Sequence, residues 1–292
     1  MPACADQTRA GLQWRDLICY KIMINQSADN SVRVVQITDT HLFREPAAEL
    51  LKLNTQESFE YVLNLIEQNE THVDMFLGTG DIAQDASLEA YKRFIRSMER
   101  FSAPLYWIPG NHDRRAVMQK AVGTGTQFLS CIDAGNWRII MLDSSVTGEV
   151  HGWLSQAELQ RLKARLAEAD ASHSHVLICL HHNPIPGNSK WMEGIGLRNA
   201  AELFAILDRY QSVRAVIYGH IHQALDFERN GVRYLCTPST CIQFKQAVTD
   251  FALDDRNPAY RWLQLDADGR IETAVERVTE YFLTVDHSSN GY

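Results

Sequence analysis

The chain has 292 residues, of which 45% are hydrophobic and 22% charged, and a formal net charge of −8. That make-up is ordinary for a soluble globular protein and supports a sizeable core, as one large α/β domain or two small ones. The acidic balance argues against broad nucleic-acid binding, which needs a basic footprint, but not against a small anionic substrate, because bound dications reverse the field locally.

Residues 1–30 hold no continuous apolar run, since Arg9, Arg15, Asp16 and Lys21 interrupt it. They read as a loosely ordered extension and not as a signal peptide, with a start at Met23 as an alternative. Residues 32–38 (VRVVQIT) are rich in β-branched side chains and read as a strand that ends at Asp39-Thr40-His41. Residues 55–68 carry Phe59, Val62, Leu63 and Ile66 at helical spacing, with Thr55 as the N-cap. Residues 73–77 form the next strand, ending at Gly78-Thr79-Gly80-Asp81, and Ser87 caps a helix bearing Tyr91, Phe94, Ile95 and Met98. Residues 104–108 lead into Gly110-Asn111-His112-Asp113. This half repeats strand, loop and helix, which favours a parallel sheet with its site at the carboxyl ends of the strands.

Residues 137–142 read as a strand ending at Asp143, followed by a helix that Ser155 and Glu158 open as a capping box. Residues 176–180 end at His181, a helix follows Asn199 and Glu202, and residues 215–218 end at Gly219-His220-Ile221-His222. Beyond that, 232–236, 260–265 and 271–278 alternate as half-exposed strands around an Asp268-Gly269 turn. The division expected is an extension (1–30), one domain (31–280) and a loose tail (281–292), the domain being two sheets packed face to face with helices outside. None of the six cysteines forms a CxxC pair, so a reducing compartment without a disulfide framework is expected. No apolar stretch approaches the roughly 20 residues of a membrane helix.

Five strand ends carry Asp, Asn or His. Any one of them is ordinarily a turn, a cap or a packed loop. Together they supply the ligand types of a two-metal site. Two close cations need a negative ligand between them, and a shared carboxylate serves best; Asp81 is the candidate. Mixed nitrogen and oxygen ligands suit Mn, Fe or Zn. Two ions about 3.5–4 Å apart stabilise both the attacking and leaving oxygens of a phosphoryl displacement. The spacings Asp39-x-His41 and His220-x-His222 put both side chains on one side if the backbone is extended. His72, His151, His173, His175 and His287 lie outside the pattern.

The order D-x-H, G-D, G-N-H-D, H, G-H-x-H, spanning about 32–222, resembles the calcineurin-like metallophosphoesterases. A closer likeness, to their bacterial class III 3′,5′-cyclic-AMP phosphodiesterases, rests on Ile37-Thr38-Asp39-Thr40-His41-Leu42-Phe43, on 189–200 around Leu197-Arg198-Asn199, on Gly219-His220-Ile221-His222-Gln223, on Thr237-Pro238-Ser239-Thr240-Cys241 and on Gln243-Phe244-Lys245. It reaches at least residue 265. The resemblance implies an α/β fold, a four-layer α-β-β-α sandwich of two mixed sheets. It implies two divalent ions (Fe, Mn or Zn), one held by Asp39, His41 and His222, the other by Asn111, His181 and His220, with Asp81 bridging. His181 rather than His182 follows from the family's His-His-x-Pro register, spacing alone leaving both open. A hydroxide between the ions would attack phosphorus in line, and the phosphate would lie against His41, Asp81, Asn111, His112 and His222. His112 would stabilise the transition state and protonate the leaving 3′ oxygen, with Asp113 orienting it. The expected activity is hydrolysis of 3′,5′-cyclic AMP to 5′-AMP in the cytoplasm, lowering cellular cAMP, with no nucleic-acid or membrane partner. The base and ribose contacts are sought at Arg44, Arg198 and 237–241. The rivals are a broader di-metal phosphodiesterase or phosphomonoesterase, and a non-catalytic scaffold on the same fold.

Overall fold

The computed structural model describes residues 19–22, 30–281 and 284–291. Five strands form one sheet, in the order Ile271–Arg277, Ala259–Leu265, Val32–Ile37, Met75–Thr79, Leu105–Ile108. The last three are parallel to one another, and the first two join antiparallel. Seven strands form a second sheet, ordered Tyr20–Lys21, Cys131–Ala134, Trp137–Met141, His175–Cys179, Val213–Tyr218, Val232–Cys236, Leu225–Arg229. Its four inner strands, Trp137–Met141 through Val232–Cys236, run parallel. The helices are α1 (Thr55–Asn69), α2 (Leu88–Met98), α3 (Arg115–Val122), α4 (Gln156–Ala171) and α5 (Ala200–Leu207).

Successive side chains of a strand point to opposite faces, so each strand feeds two cores. Val34, Leu77 and Ile108 of the first sheet meet Ile139, Leu177 and Ile217 of the second in a layer between the sheets. Val35, Ile37, Phe76 and Trp107 face outward, under Phe59, Val62 and Ile66 of α1 and Tyr91 and Phe94 of α2. On the far side Ile140, Val176, Ile178 and Val216 pack beneath Leu159, Leu162 and Leu166 of α4 and Leu203 and Leu207 of α5. Complete burial of each such side chain contributes about 1.5–3 kcal/mol. The layers are therefore helix, sheet, sheet, helix, as the sequence leads one to expect.

Several local details differ. The α1 cap is Asn54, whose side chain accepts the Glu57 N–H at 2.8 Å, while Thr55 is buried inside the first turn. Ser155 does cap α4, but the Glu158 carboxylate turns to the Asp143 N–H and to Arg161 instead of closing the box. Helix α3 has no clear period in the sequence because Met118 is its one buried side chain. The expectation of no disulfide is corrected as well: Cys19 and Cys131 are bonded, with Cα atoms 4.6 Å apart. Tyr20–Lys21 lies parallel to Ile132 and Asp133, which sets Cys19 beside Cys131 across 112 residues of sequence, a pairing no local spacing reveals. Cys179, Cys236 and Cys241 are free and buried. Met23 and the rest of 1–30 lie outside the described residues, except for 19–22 and Asn30. The C-terminal residues carry anchoring contacts: the Asp286 N–H donates to the Leu51 carbonyl, Lys52 pairs with Asp286 at 3.2 Å, and Tyr281 packs on Tyr61. Among the described residues no helix is long and apolar enough to cross a membrane.

Candidate metal centre

Five parallel strands from the two sheets deliver their carboxyl ends to one place. Val32–Ile37 leads to Asp39 and His41, Met75–Thr79 to Asp81, and Leu105–Ile108 to Asn111 and His112. From the second sheet, His175–Cys179 leads to His181 and Val213–Tyr218 to His220 and His222. Below them, the side chains of Gln36, Thr79 and Thr237 form a buried hydrogen-bonded chain that ties one sheet to the other.

The seven proposed ligands converge. Asp81 Oδ2 lies 3.2 Å from His181 Nε2 and 3.9 Å from His41 Nε2. Asn111 Oδ1 is 3.3 Å from His181 Nε2. His222 Nε2 is 3.3 Å from Asp39 Oδ1 and 3.2 Å from His41 Nε2. The His181 and His220 rings stand 5.0 Å apart. Asp39, His41, Asp81, His181, His220 and His222 are buried; Asn111 is half-buried at the mouth.

The histidines are held in ligand form from behind. His41 Nδ1 is bonded to Gln84 Oε1 at 2.6 Å, His181 Nδ1 to the Thr79 carbonyl at 2.8 Å, and His222 Nδ1 to the Ile242 carbonyl at 2.8 Å. His220 is reversed: its Nε2 donates to the Ile195 carbonyl at 3.0 Å. An acceptor oxygen on one ring nitrogen keeps the proton there and turns the other lone pair inward, the usual support of metal-binding imidazoles. Asp81 Oδ2 and His220 Nδ1 are buried without a hydrogen-bond partner. Orphaned acceptors are expensive in a protein interior unless a cation meets them. Ligand atoms about 3.2 Å apart also suit a shared ion some 2.0–2.1 Å from each. The residues present therefore fit a pair of divalent ions.

The charges point the same way. Burial pushes the His41 and His220 rings down to about 3, keeping them neutral. Burial would raise Asp81, but the His181, His112 and His41 rings hold it well below the usual carboxylate range. Burial opposes a proton on His181, yet the Asp81 and Asp39 carboxylates push that ring up to about 9. Two buried carboxylates thus draw positive charge into this spot.

The backbone corrects one part of the sequence argument. Asp39, His41, Asp81, His220 and His222 are not extended; all have φ between 45° and 71°. The left-handed region costs a residue with a Cβ about 1–2 kcal/mol, so five such residues in one place mark a site where geometry outranks local comfort. Glycine is needed next to them. A Cβ on Gly110 would stand 2.2 Å from Asp81 Oδ1, and one on Gly80, whose φ is 98°, 2.5 Å from His181 Nδ1.

His112 is half-buried, its N–H donating to Asp81 Oδ1 at 2.8 Å and its ring 5.0 Å from that of His41. The Asp113 carboxylate accepts from the backbone N–H groups of Ile82, Ala83 and Gly110 and from the Tyr91 hydroxyl. It braces the two loops against each other. His181 faces Asp81 and Asn111. His182 bonds Ser144 Oγ through Nδ1 at 2.8 Å, while its Nε2 is buried without a hydrogen-bond partner and one of its ring nitrogens lies within 4.8 Å of those of His181 and His220, so both histidines stand at the site.

A cavity of about 720 Å³ opens from Asn111, His112 and His220 towards Trp191, Phe244 and Phe251. This wall was not foreseen, and the three places favoured by sequence lie elsewhere. Arg44 is an exposed residue paired with Glu89. Arg198 borders a different depression, next to Pro184 and Met192. Residues 237–241 sit under the metal centre, where Ser239 Oγ donates to the Asp39 carbonyl at 2.7 Å.

Residues 32–224 match the family of calcineurin-like phosphoesterases, and the chain belongs to that family, whose members use a dinuclear divalent metal centre. Among curated proteins the chain is similar to the 3′,5′-cyclic adenosine monophosphate phosphodiesterase CpdA of Pseudomonas aeruginosa, 43% identical over 266 residues, covering 91% of this chain and 97% of that protein. It is equally similar to CpdA of Escherichia coli K12, 43% identical over 263 residues, covering 89% and 95%. Among solved structures, a dimetal phosphatase from Danio rerio superposes with a TM-score of 0.61 at 18% identity, over 85% of this chain and 99% of that one. So does GAP50, the anchor in the inner membrane complex of Plasmodium, with a TM-score of 0.57 at 13% identity, over 89% and 90%. Those two likenesses describe the fold alone, which does not fix an activity.

Proposed function

We propose that this protein is a metal-dependent phosphodiesterase that hydrolyses 3′,5′-cyclic AMP to 5′-AMP. One observation carries the reading: 43% identity to the Pseudomonas aeruginosa phosphodiesterase over more than nine tenths of both chains.

In this reading Asp39, His41 and His222 would hold one ion and Asn111, His181 and His220 the other, with the Asp81 carboxylate available to either. When bound, two such ions supply Lewis acidity and a water acidic enough to attack near neutral pH. The chain's own residues do the rest. Asp81, fixed by the His112 N–H, sets the spacing of the two half-sites. Asn111 and His112, on the loop that borders the cavity, hold the phosphate in line for attack. As the bond from phosphorus to the 3′ oxygen breaks, His112 gives that oxygen a proton, general-acid work suited to imidazole. Iron, manganese and zinc all suit the donor set.

The test is metal-reconstituted protein offered 3′,5′-cAMP, 2′,3′-cAMP, cGMP, 5′-AMP and a nitrophenyl diester. The reading predicts the highest kcat/KM for 3′,5′-cAMP, with 5′-AMP as product. Slow cAMP cleavage beside fast turnover of another ester would overturn the substrate while leaving the metal centre. The reading includes a cytoplasmic location, where a cyclic-nucleotide signal is lowered. Cell fractionation tests it, and the Cys19–Cys131 bond weighs against it if it persists in freshly lysed cells.

A further inference from the structure

The cavity beside the metal centre is far larger on one side than a phosphate needs, and that side is aromatic. Trp191, in a short turn of helix (Lys190–Met192), stands 5.1 Å from both Phe244 and Phe251, edge to face in each case. Phe244 in turn stacks on the His222 ring at 4.2 Å, nearly parallel. The aromatic wall is therefore continuous with the metal centre. It is also firmly fixed. The Lys190 N–H donates to the Val248 carbonyl at 2.9 Å, Ser189 Oγ to the Lys245 carbonyl at 3.0 Å, and the Ala247 N–H to Asn188 Oδ1 at 3.1 Å. The turn that carries Trp191 and the loop that carries Phe244 and Phe251 thus behave as one piece.

Another part of the lining comes from the C-terminal residues. After the anchor at Asp286, His287 Nε2 reaches Asp255 at 3.1 Å, Ser288 Oγ donates to Asp286 Oδ1 at 2.6 Å, and the chain arrives at the cavity with Asn290 and Gly291. Asn290 brings an amide, a donor and an acceptor together, to the lining of the cavity, and Glu149 and Asp250 add acceptors. A flat, π-faced group with polar edges fits such a place: rings on one side, hydrogen-bonding groups at the rim.

We propose that Trp191, Phe244 and Phe251 form the platform on which the base of the nucleotide stacks, and that Asn290 of the C-terminal segment closes this base subsite. The inference rests on the nucleotide reading above and deepens it. The wall makes the protein recognise a nucleotide, whereas the metal centre recognises any phosphate. Sugar phosphates without a base engage only the second.

Calorimetry on the metal-loaded protein tests this with 5′-AMP and ribose 5-phosphate as paired probes. Wild type should bind 5′-AMP more tightly than ribose 5-phosphate, by roughly tenfold or more, the usual worth of a base–aromatic stack. Trp191→Ala should bring the two affinities close together by weakening 5′-AMP alone, and Trp191→Phe should restore most of the difference. Asn290→Ala, at the chain's surface end and safe for folding, should narrow the same ratio by several-fold. If wild type shows the preference and both Trp191→Ala and Asn290→Ala keep it in full, the base subsite lies elsewhere and the inference is overturned. If wild type does not prefer 5′-AMP at all, the platform binds no base; the cAMP turnover assay then states separately whether the nucleotide reading itself stands.

Discussion

The floor and the wall of the cleft are built by different means. The floor is polar, buried and strained. Its ligands sit at the ends of parallel strands, five of the seven in left-handed backbone, with glycines pressed against them and acceptor oxygens bracing each imidazole. The wall is aromatic and sits on loops and on the end of the chain. The contrast separates two tasks. The floor must place atoms to within tenths of an ångström around two ions, so it hangs from the most rigid part of the fold. The wall must offer surface to a substrate, and loops on a rigid scaffold are where such surfaces are readily varied.

The largest effect expected comes from breaking the floor at its centre. Asp81→Ala should lose metal along with activity, read by elemental analysis beside turnover; two ions retained in that variant would remove the bridging role. Next is His112→Ala, which tests whether the loop between floor and wall does chemistry. Its kcat should fall roughly 10²-fold or more, the range of a lost proton donor, with both ions kept. Unchanged kcat would take His112 out of the mechanism. A smaller effect belongs to Gln84→Ala, which removes the acceptor behind His41. Metal affinity should weaken by roughly tenfold or more, as for other residues that orient metal-bound histidines. Equal affinity in a metal titration would mean the brace is idle. Smallest is Cys19→Ser. The bond it breaks lies at the edge of the second sheet, two strands from the one that ends at His181, so metal content and kcat should stay as they are. A drop in either would tie the N-terminal segment to the site.

The same contrast explains what was legible in the sequence. Each floor residue follows an apolar run directly, so a strand that ends in Asp, Asn or His shows both element and ligand within a few positions. Even there the reason was partly different: Asp39 and His41 share a centre because both turn left-handed, and an alternation argument cannot see that. The two sheets were legible from β-branched runs, whereas α3, with a single buried side chain, was not. Trp191 and Phe244 lie in stretches that carry the family likeness, but nothing in those stretches says that they line a cavity. Trp191, Phe244 and Phe251 look like core residues in any window, and only the folded chain brings Asn290 beside them. Arg44 and Arg198, where base and ribose contacts are expected from the sequence, lie outside this cavity. Asp113 shows the same limit, since its four donors come from residues up to 31 positions away.

The most direct test of the whole account is a titration of metal-free protein with Mn²⁺, counting bound ions while following conversion of 3′,5′-cAMP to 5′-AMP. The account predicts two ions per chain and turnover that appears as the second is bound. Saturation at one ion, or turnover in the metal-free protein, would contradict it.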